Sequence, residues 1–313
     1  MKTVFMGTPD FAVPVLEKII NMGYEVVGVI TQPDRPKGRG KKVVPTPVKL
    51  FAQAAGLKVY QPEKIKTPEF TCLLQDLAPQ VIVVVAFGQI LSPEILQIPL
   101  LGCINVHASL LPKYRGAAPI HWAVINGEKA TGVTTMYMDE GLDTGDMILS
   151  KTVPIAEQDT VGMVHDRLAM LGADVLAETL ELIVKGKAPR QAQQNSRATY
   201  APLLTKEHEI INWHKEAREI CNHIRGMNPW PGTCTYLDGQ VIKIWQAAYG
   251  DKLIDAMGSP GQILAATADG IVIQAGQGQV SIKELQWQCS KRMPTSDFLR
   301  GKQLPEGRFL GNR

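Results

Sequence analysis

Two side chains at positions 105 and 107, Asn105 and His107, flank Val106 in a run that reads as a strand, Ile104-Asn105-Val106-His107. Strand side chains alternate, so Asn105 and His107 face one way and Ile104 and Val106 the other. A carboxamide beside an imidazole can address a carbonyl. The amide donates to an oxygen that gains charge, and the ring handles a proton. An isolated N-x-H is more often a turn cap next to a hydrogen-bonded strand-end histidine. The flanking residues change that balance: Ser109-Leu110-Leu111-Pro112 and Arg115-Gly116-Ala117-Ala118-Pro119 follow at once. Further on, Asp139-Glu140-Gly141-Leu142-Asp143-Thr144-Gly145-Asp146 holds four carboxylates and two glycines. It lacks the D-x-[DN]-x-[DN]-G pattern of a calcium loop. One of its carboxylates set against His107 would favour the charged ring.

These residues need a scaffold, and the first half of the chain supplies an alternation of strands and helices. Strand-like runs fall at Thr3–Met6, Val26–Ile30, Val81–Ala86, Ile104–His107 and Thr131–Met138. Helical spacing appears over Phe11–Met22, with Asp10 as N-cap and Pro14 in the first turn, and over Leu50–Ala55, Glu69–Leu77 and Val161–Val184. The unbroken apolar run Val81–Ala86 suits a parallel strand buried on both faces. The expected fold is α/β, a Rossmann-like, mostly parallel sheet. Asn105 and His107 then lie at the carboxyl end of a strand, where such sheets bind ligands. The turn Gly7-Thr8-Pro9-Asp10-Phe11 lacks G-x-G-x-x-G, so no nicotinamide dinucleotide is expected there.

Residues 187–206 are polar, with Gln191, Gln193, Gln194 and two prolines, and read as a linker. Beyond them one helix (Lys215–Ile224) precedes five short β-type runs, from Thr233–Leu237 to Val280–Leu285, broken by glycine. That texture suggests a small β-barrel or sandwich. The expected division is 1–188, a linker at 189–206, and 207–313.

At 313 residues, 45% apolar and net charge +3, the chain suits two globular domains and does not announce a nucleic-acid binder by composition. Residues 1–206 carry 21 basic and 19 acidic side chains, and residues 207–313 carry 12 and 11. Charge is local instead. Gln32–Lys42 holds five basic residues and one acid, and Lys283–Arg313 seven and three. The five cysteines include no C-x-x-C pair, so buried free thiols are expected and neither disulfides nor a metal site. No stretch is long enough to span a bilayer, and the start lacks the apolar core of a signal peptide, so the cytosol is expected.

Taken together, Asn105-Val106-His107, the Ser109–Pro112 loop and the Asp139–Asp146 segment resemble the formyltransferases that use 10-formyltetrahydrofolate. The resemblance implies that Asn105, His107 and Asp143 are the catalytic set and that Ser109, Leu110, Leu111 and Pro112 lie beside the folate. It further implies a pterin pocket lined by Ala86, Phe87, Gly88, Gln89 and Ile90 and by backbone from Asp139 to Asp143. Gly7–Ala12, Thr31–Lys49, Ile211-Asn212-Trp213 and Ile224–Gly232 extend it to members that formylate methionyl-tRNA. By that likeness 32–49 is an insertion reaching the tRNA acceptor end, and 207–313 an OB-like barrel that helps hold tRNA. Arg39, then Lys41 and Lys42, are the expected tRNA contacts, since arginine forks suit phosphate and base edges. The formyl group would pass to the α-amine of methionine on initiator tRNA, with reduced folate as co-substrate and no metal. A monomer without membrane attachment is expected. Trp230, between Pro229 and Pro231, is a candidate stacking platform, though packing is the commoner fate of such a ring. Rival acceptors are a sugar nucleotide, a purine ribonucleotide or water; the basic insertion and the C-terminal β-domain disfavour all three. A non-catalytic tRNA-binding protein would have no need of the Asn105, His107 and Asp143 set.

Overall fold

Seven strands form the first sheet of the computed structural model, which describes residues 1–37, 40, 42–302 and 304–311. Chain order runs β1 (Lys2–Gly7), β2 (Glu25–Ile30), a hairpin of β3 (Arg35–Lys37) and β4 (Lys42–Val44), then β5 (Val59–Tyr60), β6 (Val81–Val85), β7 (Cys103–His107), the short β8 (Arg115–Gly116), β9 (Ala130–Tyr137) and β10 (Met147–Pro154). Across the sheet the order is β10-β9-β7-β6-β1-β2-β5. β1, β2, β5, β6 and β7 pair in parallel, and β9 runs antiparallel to β7. The mostly parallel α/β sheet read from the sequence is therefore present. All five residues of β6 are buried, as an apolar run covered on both faces requires.

The connecting helices are α1 (Val13–Asn21), α2 (Pro47–Ala54), α3 (Pro68–Leu77) and α4 (Pro93–Leu96). Two of them start alike: Thr46 Oγ1 accepts from the Lys49 amide and Thr67 Oγ1 from the Phe70 amide, each with proline at the next position. The first departs from expectation. Asp10–Ala12 forms a 3-10 turn and the α-helix begins at Val13, so Asp10 accepts from the Phe11 amide (3.0 Å), faces His165 Nε2 at 3.6 Å and caps no α-helix. α5 (Pro119–Ile125) and α6 (Val161–Val184) follow.

Compact packing divides the chain into one unit of residues 1–119, 131–153 and 165–201 and another of 120–130, 154–164 and 202–313. Residues 189–201, read as linker, are thus part of the first unit. There β11 (Tyr200–Ala201) pairs in parallel with β8, and the Gln191 backbone exchanges two hydrogen bonds with Met147.

In the second unit, β12 (Thr233–Leu237), β13 (Gln240–Gly250), β14 (Ile263–Thr267), β15 (Gly270–Gln274), β16 (Gln279–Trp287) and β17 (Met293–Pro294) form an antiparallel sheet in the order β12-β13-β16-β15-β14, with β17 on β16. Helices α7 (Ala217–Gly226) and α8 (Thr295–Gly301) accompany it, and Ile220, Ile244, Ile273 and Ile282 lie in its core. Asp238-Gly239, both at positive φ, turns β12 into β13 as a two-residue hairpin loop. Trp230 is not packed into a core: the residue is 66% exposed, and its ring meets His121 edge-on. Of the cysteines, 103, 221 and 234 are buried as expected, but Cys72 and Cys289 are exposed.

Candidate active site

Asn105 and His107 end β7, held by β6 on one side (Val84 opposite Asn105) and by β9 on the other (Thr134 opposite His107). Both are buried. Asp143 comes from the loop between β9 and β10 at φ 54, a left-handed conformation that Asp tolerates better than most residues. Its carboxylate meets both strand residues. The Asn105 Nδ2 donates to Asp143 Oδ1 (3.3 Å), and His107 Nδ1 lies 3.6 Å from Asp143 Oδ2. The Gly116 amide donates to the same Oδ2 at 2.8 Å.

The other ring nitrogen of His107 is engaged as well. Nε2 lies 3.0 Å from the Tyr114 carbonyl, which can only accept, so Nε2 carries hydrogen. Nδ1 faces the Asp143 carboxylate, so both ring nitrogens address acceptors. The loop after β7 doubles back to provide these groups through positive φ at Tyr114 (60) and Gly116 (116). A Cβ on Gly116 would lie 2.8 Å from the Ala201 carbonyl, so this close approach requires glycine.

The other acidic residues of the loop do different work. Asp139 Oδ1 accepts from the Gly141 amide (3.0 Å) and the Thr144 hydroxyl (2.6 Å), which stiffens the turn; Asp146 faces Arg190 at 3.7 Å. Asp143 is the one that reaches Asn105 and His107.

The residues expected beside a folate fall in the same unit. Ser109 is buried, with its hydroxyl donating to the Lys113 carbonyl (2.7 Å) and its own carbonyl accepting from Thr134 Oγ1 (2.8 Å). Leu110 is half-buried, Leu111 is buried, and the Leu111–Pro112 bond is cis. Phe87 is buried, its carbonyl accepting from Thr8 Oγ1 and Gln32 Nε2; Gly88 turns at φ 85. The Gln89 side chain is engaged with the backbone of Ile65 and Glu63, and Ile90 is exposed. Of the expected tRNA contacts, Arg39 and Lys41 lie outside the described residues. Lys42 opens β4, exposed beside the exposed Val43 and Val44.

Sequence reasoning missed Gln193. Its Nε2 donates to the carbonyls of Asp143 (2.8 Å) and Gly145 (2.9 Å). Its Oε1 accepts from Arg115 Nε (3.0 Å) and Nη2 (2.7 Å), and Arg115 Nη2 also reaches Asn195 Oδ1 (2.9 Å). Arg115 is buried. Nothing local marks Gln193, fifty positions beyond Asp143; the only hint is the density of amides at 191–194. Cys103, on the same strand face, is no candidate nucleophile, because burial pushes its thiol up to about 12. A cavity of about 540 Å³ within the second unit is lined by Glu157, Arg225, Trp245, Tyr249 and Arg292 among others, and by none of the three converging side chains.

Residues 1–180 match the family described as Formyl transferase, and residues 203–303 match Formyl transferase, C-terminal domain. The chain is 58% identical to the methionyl-tRNA formyltransferase of Pelotomaculum thermopropionicum over 99% of both chains. It is 55% identical to that of Desulforamulus reducens over 99% of this chain and 98% of the relative. Among solved structures, an N-formyltransferase from Helicobacter canadensis with folinic acid and dTDP-3-aminofucose superposes with a TM-score of 0.66 at 21% identity, covering 90% of this chain and 98% of that one. HypX from Aquifex aeolicus with tetrahydrofolic acid gives 0.64 at 18% identity, and this chain spans 51% of its length. At such identities these two structures share the fold.

Proposed function

The chain belongs to the formyl transferase family, and from that premise we propose that it moves the formyl group of 10-formyltetrahydrofolate to the α-amine of methionine esterified to initiator tRNA. The observation that carries this is the meeting of Asn105, His107 and Asp143 at the end of β7, with contacts of 3.3 and 3.6 Å. Identity near 58% along the whole length to a methionyl-tRNA formyltransferase supports the choice of acceptor.

The folate supplies an activated formyl carbon. A new N–C bond forms from the amine, the C–N10 bond breaks, and the proton released by the amine ends on the folate nitrogen. The chain's own groups fit this chemistry. Asn105, with one amide hydrogen on Asp143, has the other for the formyl oxygen as it gains charge, and His107 joins it as a donor when its Nε2–H leaves the Tyr114 carbonyl. Asp143 orients the ring through Nδ1 and takes the Asn105 amide and the Gly116 N–H. Burial keeps competing water from these donors, where electrostatic stabilisation is strongest. Leu110, Leu111, Phe87 and Ile90 offer apolar surface for a flat pterin, and Ser109, Pro112, Gly88, Gln89 and Asp139 border it. No covalent enzyme intermediate is needed.

Arg39, Lys41 and Lys42 contact the acceptor end of the tRNA, and the part from 207 onward holds its body, while 1–188 carries the chemistry. The enzyme works in the cytosol, as a monomer.

The test is formyl transfer from 10-formyltetrahydrofolate with Met-charged initiator tRNA, Met-charged elongator tRNA, an amino-sugar nucleotide and glycinamide ribonucleotide offered in parallel. Formyl-methionyl initiator tRNA should dominate. Arg39→Ala and Lys42→Glu should raise KM for tRNA and leave KM for folate unchanged. Transfer to either small amine in preference to tRNA would overturn the reading.

A further inference from the structure

The segment 191–201 bonds to both loops that complete the candidate site. On the loop after β7, Thr199 O accepts from the Arg115 amide, Thr199 Oγ1 from the Tyr114 amide (both 2.9 Å), and Ala201 O from the Ala117 amide (2.9 Å). That loop supplies the Tyr114 carbonyl to His107 and the Gly116 N–H to Asp143. On the loop that carries Asp143, the Gln191 backbone pairs with Met147, and Gln193 grips the Asp143 and Gly145 carbonyls.

Gln193 joins the two loops a second time, beside the bond from the Gly116 amide to Asp143. A primary amide has two N–H hydrogens and two oxygen lone pairs. Both hydrogens go to the Asp143 loop, and both lone pairs take the Arg115 fork. Neither Glu, with no hydrogen to give, nor an aliphatic chain can repeat this. A guanidinium on the oxygen also polarises the amide and makes its N–H groups stronger donors. The need is plain from the backbone. Asp143 sits at φ 54 between Gly141 and Gly145, in a conformation that an untethered loop would leave for others.

We propose that Gln193, locked by Arg115 and Asn195, is a positioning residue that sets the Asp143 carboxylate at its distance from His107 and Asn105. The proposal rests on formyl transfer at this site and adds the device that builds it.

Gln193→Glu tests it in the full-length enzyme, since it keeps the length and the acceptor for Arg115 while turning oxygen lone pairs toward two carbonyls. We expect kcat to fall about 10- to 100-fold with KM for tRNA and folate within about 2-fold, because a small misplacement costs turnover, not ground-state binding. The unfolding midpoint should stay within about 3 °C of the parent. In an Asp143→Ala background, measured by single turnover with excess enzyme, the same change should cost less than about 2-fold, since no carboxylate remains to be placed. Equal losses in both backgrounds would mean a general structural role and would overturn the proposal. So would unchanged kcat in Gln193→Glu when Asp143→Ala is impaired. Parental turnover in Asp143→Ala itself would instead sink the formyl-transfer assignment of the site. If Gln193→Glu does not fold, Asn195→Ala serves, because Asn195 is exposed. It should lower kcat about 2- to 5-fold through a loosened Arg115, again without effect in the Asp143→Ala background; no loss of kcat would refute the relay.

Discussion

Replacing Asp143 by Asn removes a charge and almost no volume. The backbone is not the difficulty, since Asn is among the residues that accept the left-handed conformation at φ 54. The new side chain keeps one oxygen, which can still accept from the Gly116 amide. Its NH₂ then takes the place of Oδ1 and points at the Asn105 Nδ2, where the carboxylate had accepted. The larger loss is electrostatic. A carboxylate 3.6 Å from the imidazole, at an effective dielectric constant near 20, favours a full positive charge on the ring during the reaction by about 4–5 kcal/mol. Both side chains are little exposed, 7% and 13%, so solvent screens this modestly. Allowing for what the amide dipole recovers, a barrier increase of about 3–4 kcal/mol is expected, or a fall in turnover of roughly 10²- to 10³-fold. The assay is formylation of methionyl-tRNA at saturating folate and tRNA, with unfolding followed in parallel to show that the variant is folded. A folded Asp143→Asn enzyme within about 3-fold of the parent kcat would refute the electrostatic role, for a neutral side chain cannot supply that field.

Two further outcomes rest on burial. Burial pushes the thiols of Cys103 and Cys221 up to about 12 and raises that of Cys234, while Cys72 and Cys289 are exposed. A disulfide reagent at pH 8 should therefore label Cys72 and Cys289 in the folded protein and the other three only after denaturation; early labelling of Cys103, mapped by mass spectrometry, would contradict this. Burial also holds His223 below its ordinary 6.5, against the raising effect of its hydrogen bond to the His208 carbonyl and with the Lys215 and His208 charges adding to the lowering. The unfolded chain then binds the proton that the folded one resists, so stability is full above pH 6.5 and lost as pH falls below it. The urea midpoint should drop on going from pH 7.5 to 5.5, and His223→Asn should shrink that drop; an equal drop in the variant would assign it to other groups.

How much of this was legible in the sequence follows from the range of each interaction. Local interactions were readable: the apolar run of β6, and the helix α6, bounded as its spacing implied. The joint orientation of Asn105 and His107 follows from an alternation of two. β10 escaped because only Ile148 in it is fully buried and Ser150-Lys151-Thr152 interrupt its apolar residues, so no apolar run marks it. Among the four carboxylates at 139–146, spacing alone did not choose; family resemblance singled out Asp143, and the fold gives the physical reason, since Asp139 is bonded into its own turn and Asp146 faces Arg190.

What stayed illegible is the frame behind the converging groups, and it had to stay so. The acceptor that sets the His107 proton is the carbonyl of Tyr114, and the groups that Gln193 grips are the carbonyls of Asp143 and Gly145. Backbone carbonyls carry no residue identity, so no motif can record them. Their partners sit in a polar stretch whose composition is that of a surface loop, and only closure of the chain over fifty positions makes Gln193 specific. The end of an interior strand can fix two side chains through its pairing on both sides. A carboxylate on a glycine-flanked loop has no such pairing and must be tied from outside. The tie falls to whichever segment passes next, which here is the one that the sequence presents as mere connection.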